Sequence, residues 1–297
     1  MLIEPRTVKL TTRTGVEVHR TLPHAKLKMI GAWCFVDHFG PTEQTDGMVV
    51  AAHPHSGLQT VTWLIEGQIE HRDSIGSVQI IRPGQLNLMT AGYGIAHSEL
   101  SQTGPQRLHA VQLWVALPKE SIDVAAEFEH QGDLPLVTGD GYSAVVLAGE
   151  FLGVRAATKT FSPMMGAELR IAAGKTVSVP LAKNFEHGLM LASGSAKING
   201  ESVPTSGLYY LEPGVEQVQI EVAEDAIVLL LGGEPFGEKI LMWWNFIGRT
   251  HDDIAKARDE WNARESFSGG GRFGEFSDDI GGWIPAPELP SVKLHAR

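Results

Sequence analysis

Short runs of β-branched and aromatic residues, each closed by a turn signal, set the rhythm of this chain. Thr60-Val61-Thr62-Trp63-Leu64-Ile65 ends at Glu66-Gly67, and Val78-Gln79-Ile80-Ile81 stops before Pro83-Gly84. The longer apolar run from Leu108 to Leu117 reads as a central strand ended by Pro118. Strands bounded by Gly and Pro have this signature. Gln68-Ile69-Glu70-His71-Arg72-Asp73 alternates only weakly, but it follows a turn signal and could form the second arm of a hairpin. Gly is abundant at 33 residues and Pro adds 16, as frequent turns require. The pattern predicts an all-β protein.

The second half repeats this grammar. His187-Gly188-Leu189-Met190-Leu191-Ala192 runs into Ser193-Gly194 as Val61 to Ile65 runs into Glu66-Gly67. Leu208 to Leu211 meets Pro213-Gly214 as Ile80-Ile81-Arg82 meets Pro83-Gly84. The repetition predicts an internal duplication of a small barrel. One unit spans 1–130 and a second spans 131–240, with residues 119–140 as the connection between them. A C-terminal region, 241–297, holds a helix over 250–265 and an extended tail from Trp283 along the surface. Thr250 is the expected N-cap, Asp252 and Asp253 sit in the first turn, and Ile254, Ala257 and Trp261 share one face. Residues 266–274, with three consecutive glycines at 269–271, read as a flexible loop.

Two short pairs carry the candidate chemistry. His53 and His55 stand in His-Pro-His, and His97 and Glu99 stand in His-Ser-Glu. Residues two apart on a strand point to the same face. Two such strands side by side would aim three imidazoles and one carboxylate at one point. That set suits a divalent transition metal and leaves room for water, oxygen or substrate. The second half has no His-x-His and no His-x-Glu, so it binds no metal by this scheme.

Other side chains have lesser expectations. Gln59 lies four residues after His55 and would face the same way if no bulge intervenes, its amide reaching a metal-bound water or a ligand. His38 and His71 lie near the motif, where either could orient a ligand, touch substrate or hold a loop. His109 reads as a hydrogen-bonded core histidine, and Trp243-Trp244 as packing. The single cysteine, Cys34, lies in an apolar run and reads as a small buried hydrophobe.

Charge narrows the partners. The formal net charge is −11, and no Lys/Arg block occurs, which argues against direct nucleic-acid binding. No apolar stretch approaches a membrane span and no signal-peptide pattern opens the chain, so a soluble, cytoplasmic protein is expected.

These residues also carry a resemblance. Gly47 followed by His53-Pro54-His55 fits the first motif of the cupin superfamily. The wider string of Val36-Asp37-His38-Phe39-Gly40-Pro41, Glu70-His71-Arg72-Asp73, Met89-Thr90-Ala91-Gly92, His97-Ser98-Glu99 and Gln112-Leu113-Trp114-Val115 resembles the pirin family. The resemblance implies a bicupin, two β-barrels face to face, with one metal in the N-terminal barrel. Its ligands would be His53, His55, His97 and Glu99, and the metal Fe(II) first, with Mn, Ni, Co, Cu or Zn able to occupy such a set. Some bacterial members open the ring of quercetin with dioxygen, while the eukaryotic member is a redox-responsive cofactor of transcription factors. The implied partners are therefore a small aromatic molecule and dioxygen, or a protein. In the enzyme Glu99 would serve as ligand and proton acceptor. Two positions depart from the family's pattern, Ser56 in place of Arg and Gln59 in place of Glu, as does the aromatic segment Trp243 to Ile247. These departures bear on substrate range rather than on metal binding.

Overall fold

The structure is a computed structural model that describes residues 1–10, 17–44, 47–101, 106–263, 271–276 and 282–296. Each half folds into a barrel of one large and one small antiparallel sheet. The first large sheet carries the consecutive strands Leu86–Thr90, Leu58–Glu66, Gln106–Ala116 and Trp33–Gln44. Its small sheet runs Val49–His55, Ile95–Ser101, Ile69–Asp73, Val78–Ile81.

The second barrel repeats both orders. Leu208–Leu211, Glu186–Ser193, Ala226–Gly233 and Met164–Ile171 form the large sheet, and Thr176–Pro180, Gln217–Val222, Ala196–Ile198 and Glu201–Val203 the small one. The expected duplication is thus a duplication of topology. It extends to the edges in a crossed fashion. Leu2–Ile3, from the start of the chain, pairs with Leu208–Leu211 of the second barrel. The stretch 119–140, read from sequence as a plain connection, is built into both barrels. Glu127–Gln131 pairs with Leu86–Thr90, and Leu136–Gly139 pairs with Tyr142–Ala148. Phe128 gives the physical reason for the first pairing, because it packs on the buried cluster Met89, Ala91 and Ile95.

The two large sheets pack face to face. Odd-numbered residues of Leu58–Glu66, such as Val61 and Trp63, face Met190 and Leu229 of the other barrel in one apolar core. Even-numbered ones face the interior of their own barrel, as the pleat requires. Buried polar groups in this interface have specific partners. Trp33 Nε1 donates to the carbonyls of Met165 and Gly232 at 3.0 and 3.2 Å, and Trp63 Nε1 donates to Glu168 at 2.6 Å. His38 lies in the same interface. Its Nδ1 is 2.7 Å from Ser206 Oγ and its Nε2 is 2.8 Å from His109 Nε2. His38 therefore joins the barrels and has no part in the metal site. The strand alternation decides this, since its neighbours Asp37 and Phe39 point into the barrel. His109 is the hydrogen-bonded core histidine expected. Cys34 is buried, and burial pushes its thiol up to about 12.

The helix spans His251–Asn262. The Thr250 side chain accepts from the Asp253 amide and the Asp253 carboxylate accepts from Thr250 N–H, a reciprocal capping box. Ile254, Ala257 and Trp261 are its buried face. The glycine-rich loop expected at 266–274 lies largely outside the described residues. Among the described residues, no helix is long and apolar enough to cross a membrane.

Burial, then the neighbouring His109, lowers the His38 pKa from 6.5 to about 3. The unfolded chain thus takes up a proton that the folded one refuses, so stability is complete above 6.5 and falls as pH drops toward 3. Urea unfolding of the metal-free protein across this range should show the decline. His38→Asn, which can still bond Ser206, should flatten the slope by about 1.4 kcal/mol per pH unit.

Candidate metal centre

The ligand pairs meet because of strand register. Val49–His55 and Ile95–Ser101 are antiparallel neighbours, with His97 opposite His53 and Ile95 opposite His55. Ligand atoms of His53, His55 and His97 all lie within 4.8 Å of one another. Their ring centroids stand 4.3 to 5.1 Å apart. All three rings are buried, with 8%, 2% and 2% of the residue surface exposed.

Each imidazole has one nitrogen engaged and one uncommitted. His53 Nδ1 is 2.9 Å from the Ala51 carbonyl and donates to it, which leaves Nε2. His55 bonds the Asn245 backbone, and its Nδ1 has no hydrogen-bond partner. His97 Nδ1 is 3.3 Å from His71 Nδ1, and its Nε2 has no partner. Burial lowers the pKa of all three, to about 4 for His53 and well below 6.5 for His55 and His97. Neutral imidazoles with free lone pairs are the form a metal requires. Polar atoms that are buried and unpaired otherwise cost about 1–3 kcal/mol each. The donor set therefore fits a divalent cation.

Glu99, expected as the fourth ligand, opens onto the same cavity but is outside the group of three. The pairing of Ile95–Ser101 with Ile69–Asp73 is regular from His97 to Glu99, so the two keep one face, while the register shift between the ligand strands puts its extra residue on Val49–His55. Thr62 Oγ1 is 3.5 Å from its carboxylate, too long to satisfy it. Burial raises its pKa.

Gln59 departs from expectation. Gly57, at φ +73°, turns the chain between the two strands, and the even count from His55 no longer sets the face. The Gln59 amide donates to Thr90 Oγ1 at 2.9 Å and to the Lys159 carbonyl at 3.2 Å, on the side of the second barrel. His71 lies behind His97. Its Nε2 is 3.0 Å from Asp73 Oδ2, and its ring stacks on Phe128 at 4.4 Å.

The three histidines line a cavity of about 290 Å3. Phe35 and Trp114 form part of its wall, stacked 4.0 Å apart, and Trp114 meets His55 edge-on at 5.1 Å. Arg20 lies 4.2 Å over Phe35 and holds Asp37 through two hydrogen bonds of 2.6 and 2.7 Å. Sequence reasoning missed these residues. The available signal was a charged Asp37 between Phe35 and Phe39 on one strand face.

The C-terminal region completes the wall with Trp244, Asn245 and Ile284. It docks on the ligand strand itself. Ile247 N–H donates to the Ser56 carbonyl, and Ala52 exchanges hydrogen bonds with Gly282 and Ile284. The tail, expected to lie along the surface, thus pairs with Val49–His55. Of the two tryptophans expected as packing, Trp243 packs with the C-terminal cluster, whereas Trp244 also faces the cavity.

Comparison with known proteins agrees with this architecture. The family model described as Pirin matches residues 15–115, and that described as Pirin C-terminal cupin domain matches 166–267. The chain belongs to the pirin family. It is an all-β bicupin. It is 44% identical over 278 residues to a Pseudomonas aeruginosa protein named "Putative quercetin 2,3-dioxygenase", covering 93% of this chain and 87% of that one. A crystal structure of quercetin 2,3-dioxygenase from Acinetobacter baumannii superposes with a TM-score of 0.94 at 41% identity, covering 100% and 97% of the two chains. Mouse pirin is 28% identical over 264 residues, covering 86% of this chain and 90% of its own.

The turn that presents His55 is sterically demanding. A Cβ on Gly57 would collide with the Ile247 carbonyl oxygen, whereas Gly84, at φ +80°, has open space around it. Gly57→Ala is expected to cost about 2–4 kcal/mol and Gly84→Ala about 1–2 kcal/mol in denaturant unfolding.

Proposed function

We propose that this protein is a metal-dependent dioxygenase acting on a flavonol-like aromatic substrate, with iron as the metal. The observation that carries this reading is the convergence of three neutral imidazoles on an aromatic-walled cavity of about 290 Å3. The names of the 44% identical relative and the 41% identical structure support it.

In this reading His53, His55 and His97 hold the metal, with Glu99 as the fourth ligand. A bound divalent metal would supply Lewis acidity toward the hydroxyl and carbonyl oxygens of the substrate and redox chemistry toward dioxygen. The Glu99 carboxylate accepts the proton of the substrate hydroxyl, a role suited to a carboxyl whose pKa burial has raised. Phe35 and Trp114 offer flat faces to an aromatic ring. Trp244 and Ile284 add apolar surface to the cavity wall. A second reading, a metal-gated regulator that binds a protein partner, uses the same histidines. The concave cavity, with aromatic side chains and a few polar groups in its lining, favours the small-molecule reading.

Metal content and oxygen uptake test the proposal together. Wild type should hold about one metal per chain after anaerobic loading, and His55→Ala close to none. Uptake should require both metal and flavonol. Glu99→Gln should lower turnover by roughly 10²–10⁴-fold. Fully iron-loaded protein that consumes no oxygen with any of a panel of flavonols and catechols would end the dioxygenase reading.

A further inference from the structure

We propose that Trp244 is a specificity-determining residue, the second flat face of a slot that selects planar, multi-ring aromatic substrates. The inference deepens the reading of the cavity as a site for a flavonol-like molecule and rests on it.

The backbone at this residue is held against its own preference. Leu241–Trp243 and Phe246–Gly248 pair with Trp243 opposite Phe246, so Trp244 and Asn245 form a two-residue hairpin loop. The favoured loops of this length need φ above zero at their first position, where Gly and Asn predominate. The loop Asn199-Gly200, between Ala196–Ile198 and Glu201–Val203, meets that rule, with φ of +49° and +81°. Trp244 occupies the same position of its own loop at φ +51°. A bulky side chain at such an angle is strained, and the surrounding structure must hold it there.

The hairpin is fixed to the ligand strand on both sides of its loop. Ile247 N–H donates to the Ser56 carbonyl at 2.9 Å, and the Asn245 backbone bonds the His55 ring. The Trp244 ring meets Phe246 edge-on, with centroids 5.4 Å apart. It is half-buried against the C-terminal cluster and lines the cavity.

The other flat faces come from the opposite wall. Phe35 and Trp114 are register partners on Trp33–Gln44 and Gln106–Ala116, in the large sheet of the barrel. Trp244 arrives from the small-sheet side, on the hairpin bonded to the end of Val49–His55. Both walls converge on His55, which Trp114 meets edge-on at 5.1 Å and the Trp244-Asn245 loop bonds through its backbone. An aromatic ring bound beside His55 therefore meets a flat face from each wall. Stacking on flat faces rewards a planar ligand, whereas a puckered one forfeits part of the contact.

Calorimetric titration in anaerobic buffer tests the slot with two ligands. One is quercetin, a planar flavonol. The other is dihydroquercetin, which carries the same hydroxyl groups on a saturated, puckered central ring. Metal-free and iron-loaded protein are both titrated. Gly and Asn suit the backbone angle, so Trp244→Gly and Trp244→Asn should fold with Tm close to that of wild type. In each, quercetin affinity should fall about 10- to 100-fold and dihydroquercetin affinity by no more than about threefold. Trp244→Phe, which restores a smaller flat face, should recover most of the preference.

Quercetin affinity within about twofold of wild type in both folded variants would overturn the proposal. So would an equal loss for the two ligands, or a wild-type protein that binds neither. Binding is read here without turnover. Quercetin that binds through Trp244 yet supports no oxygen uptake would uphold the slot and end only the dioxygenase reading.

Discussion

Everything at the site depends on burying imidazole nitrogens that no protein group satisfies. Two of them, His55 Nδ1 and His97 Nε2, are sealed without a partner. Each such atom costs about 1–3 kcal/mol in an otherwise well-packed protein. The surrounding structure prevents the cheaper arrangements. The ligand strands are cross-paired in one register, so the rings cannot turn outward without breaking the sheet. The other nitrogen of each ring is already tied, to Ala51, to the Asn245 backbone or to His71. Desolvation keeps the rings uncharged, and uncharged rings at close quarters do not repel as imidazolium groups would. The fold itself holds the three rings in the arrangement a divalent cation would need.

The second barrel shows the same scaffold without that constraint. Its strands Thr176–Pro180 and Gln217–Val222 occupy the places of the two ligand strands. The residues pointing inward there are Val177, Val179, Val218 and Ile220, all buried in an apolar core. A barrel filled by side chains needs no ligand, and it can serve as a rigid backing. Its large sheet covers the large sheet of the first barrel, and Trp33, Trp63 and His38 fasten the two. One copy thus gathers the three histidines and the other packs an apolar core behind it.

The C-terminal region has a more specific role than its place at the end of the chain suggests. It adds backbone hydrogen bonds to the exposed side of the ligand strand at Ala52 and Ser56. An edge strand bearing two metal ligands would otherwise be free to fray. The same segment brings Trp244 and Ile284 to the cavity wall. Its aromatic cluster of Phe246, Trp261 and Phe273 anchors it under the helix. Rigidity of the ligands and shape of the cavity therefore come from one device.

How much of this was legible beforehand follows from the range of the interactions. Local patterns were sufficient for the strands, for the capped helix and for the doubling of the barrel, because turn chemistry and period-two alternation act between near neighbours. They were also sufficient for the histidine triad, since His-x-His and a second histidine on another strand share a face once the strands pair. What failed was parity counted across irregularities. Gly57 turned Gln59 to the wrong side, whereas Glu99 kept the face of His97 and opens onto the same cavity. Contacts between distant segments had no local signal at all. His38 meeting Ser206, Phe128 stacking on His71, and Ile284 reaching the cavity each join residues brought together only by folding. The sequence by itself determined which chemistry the chain could hold. The tertiary structure decided which side chains surround it, because register, bulges and chain closure are set by the packing of whole sheets and not by any one strand.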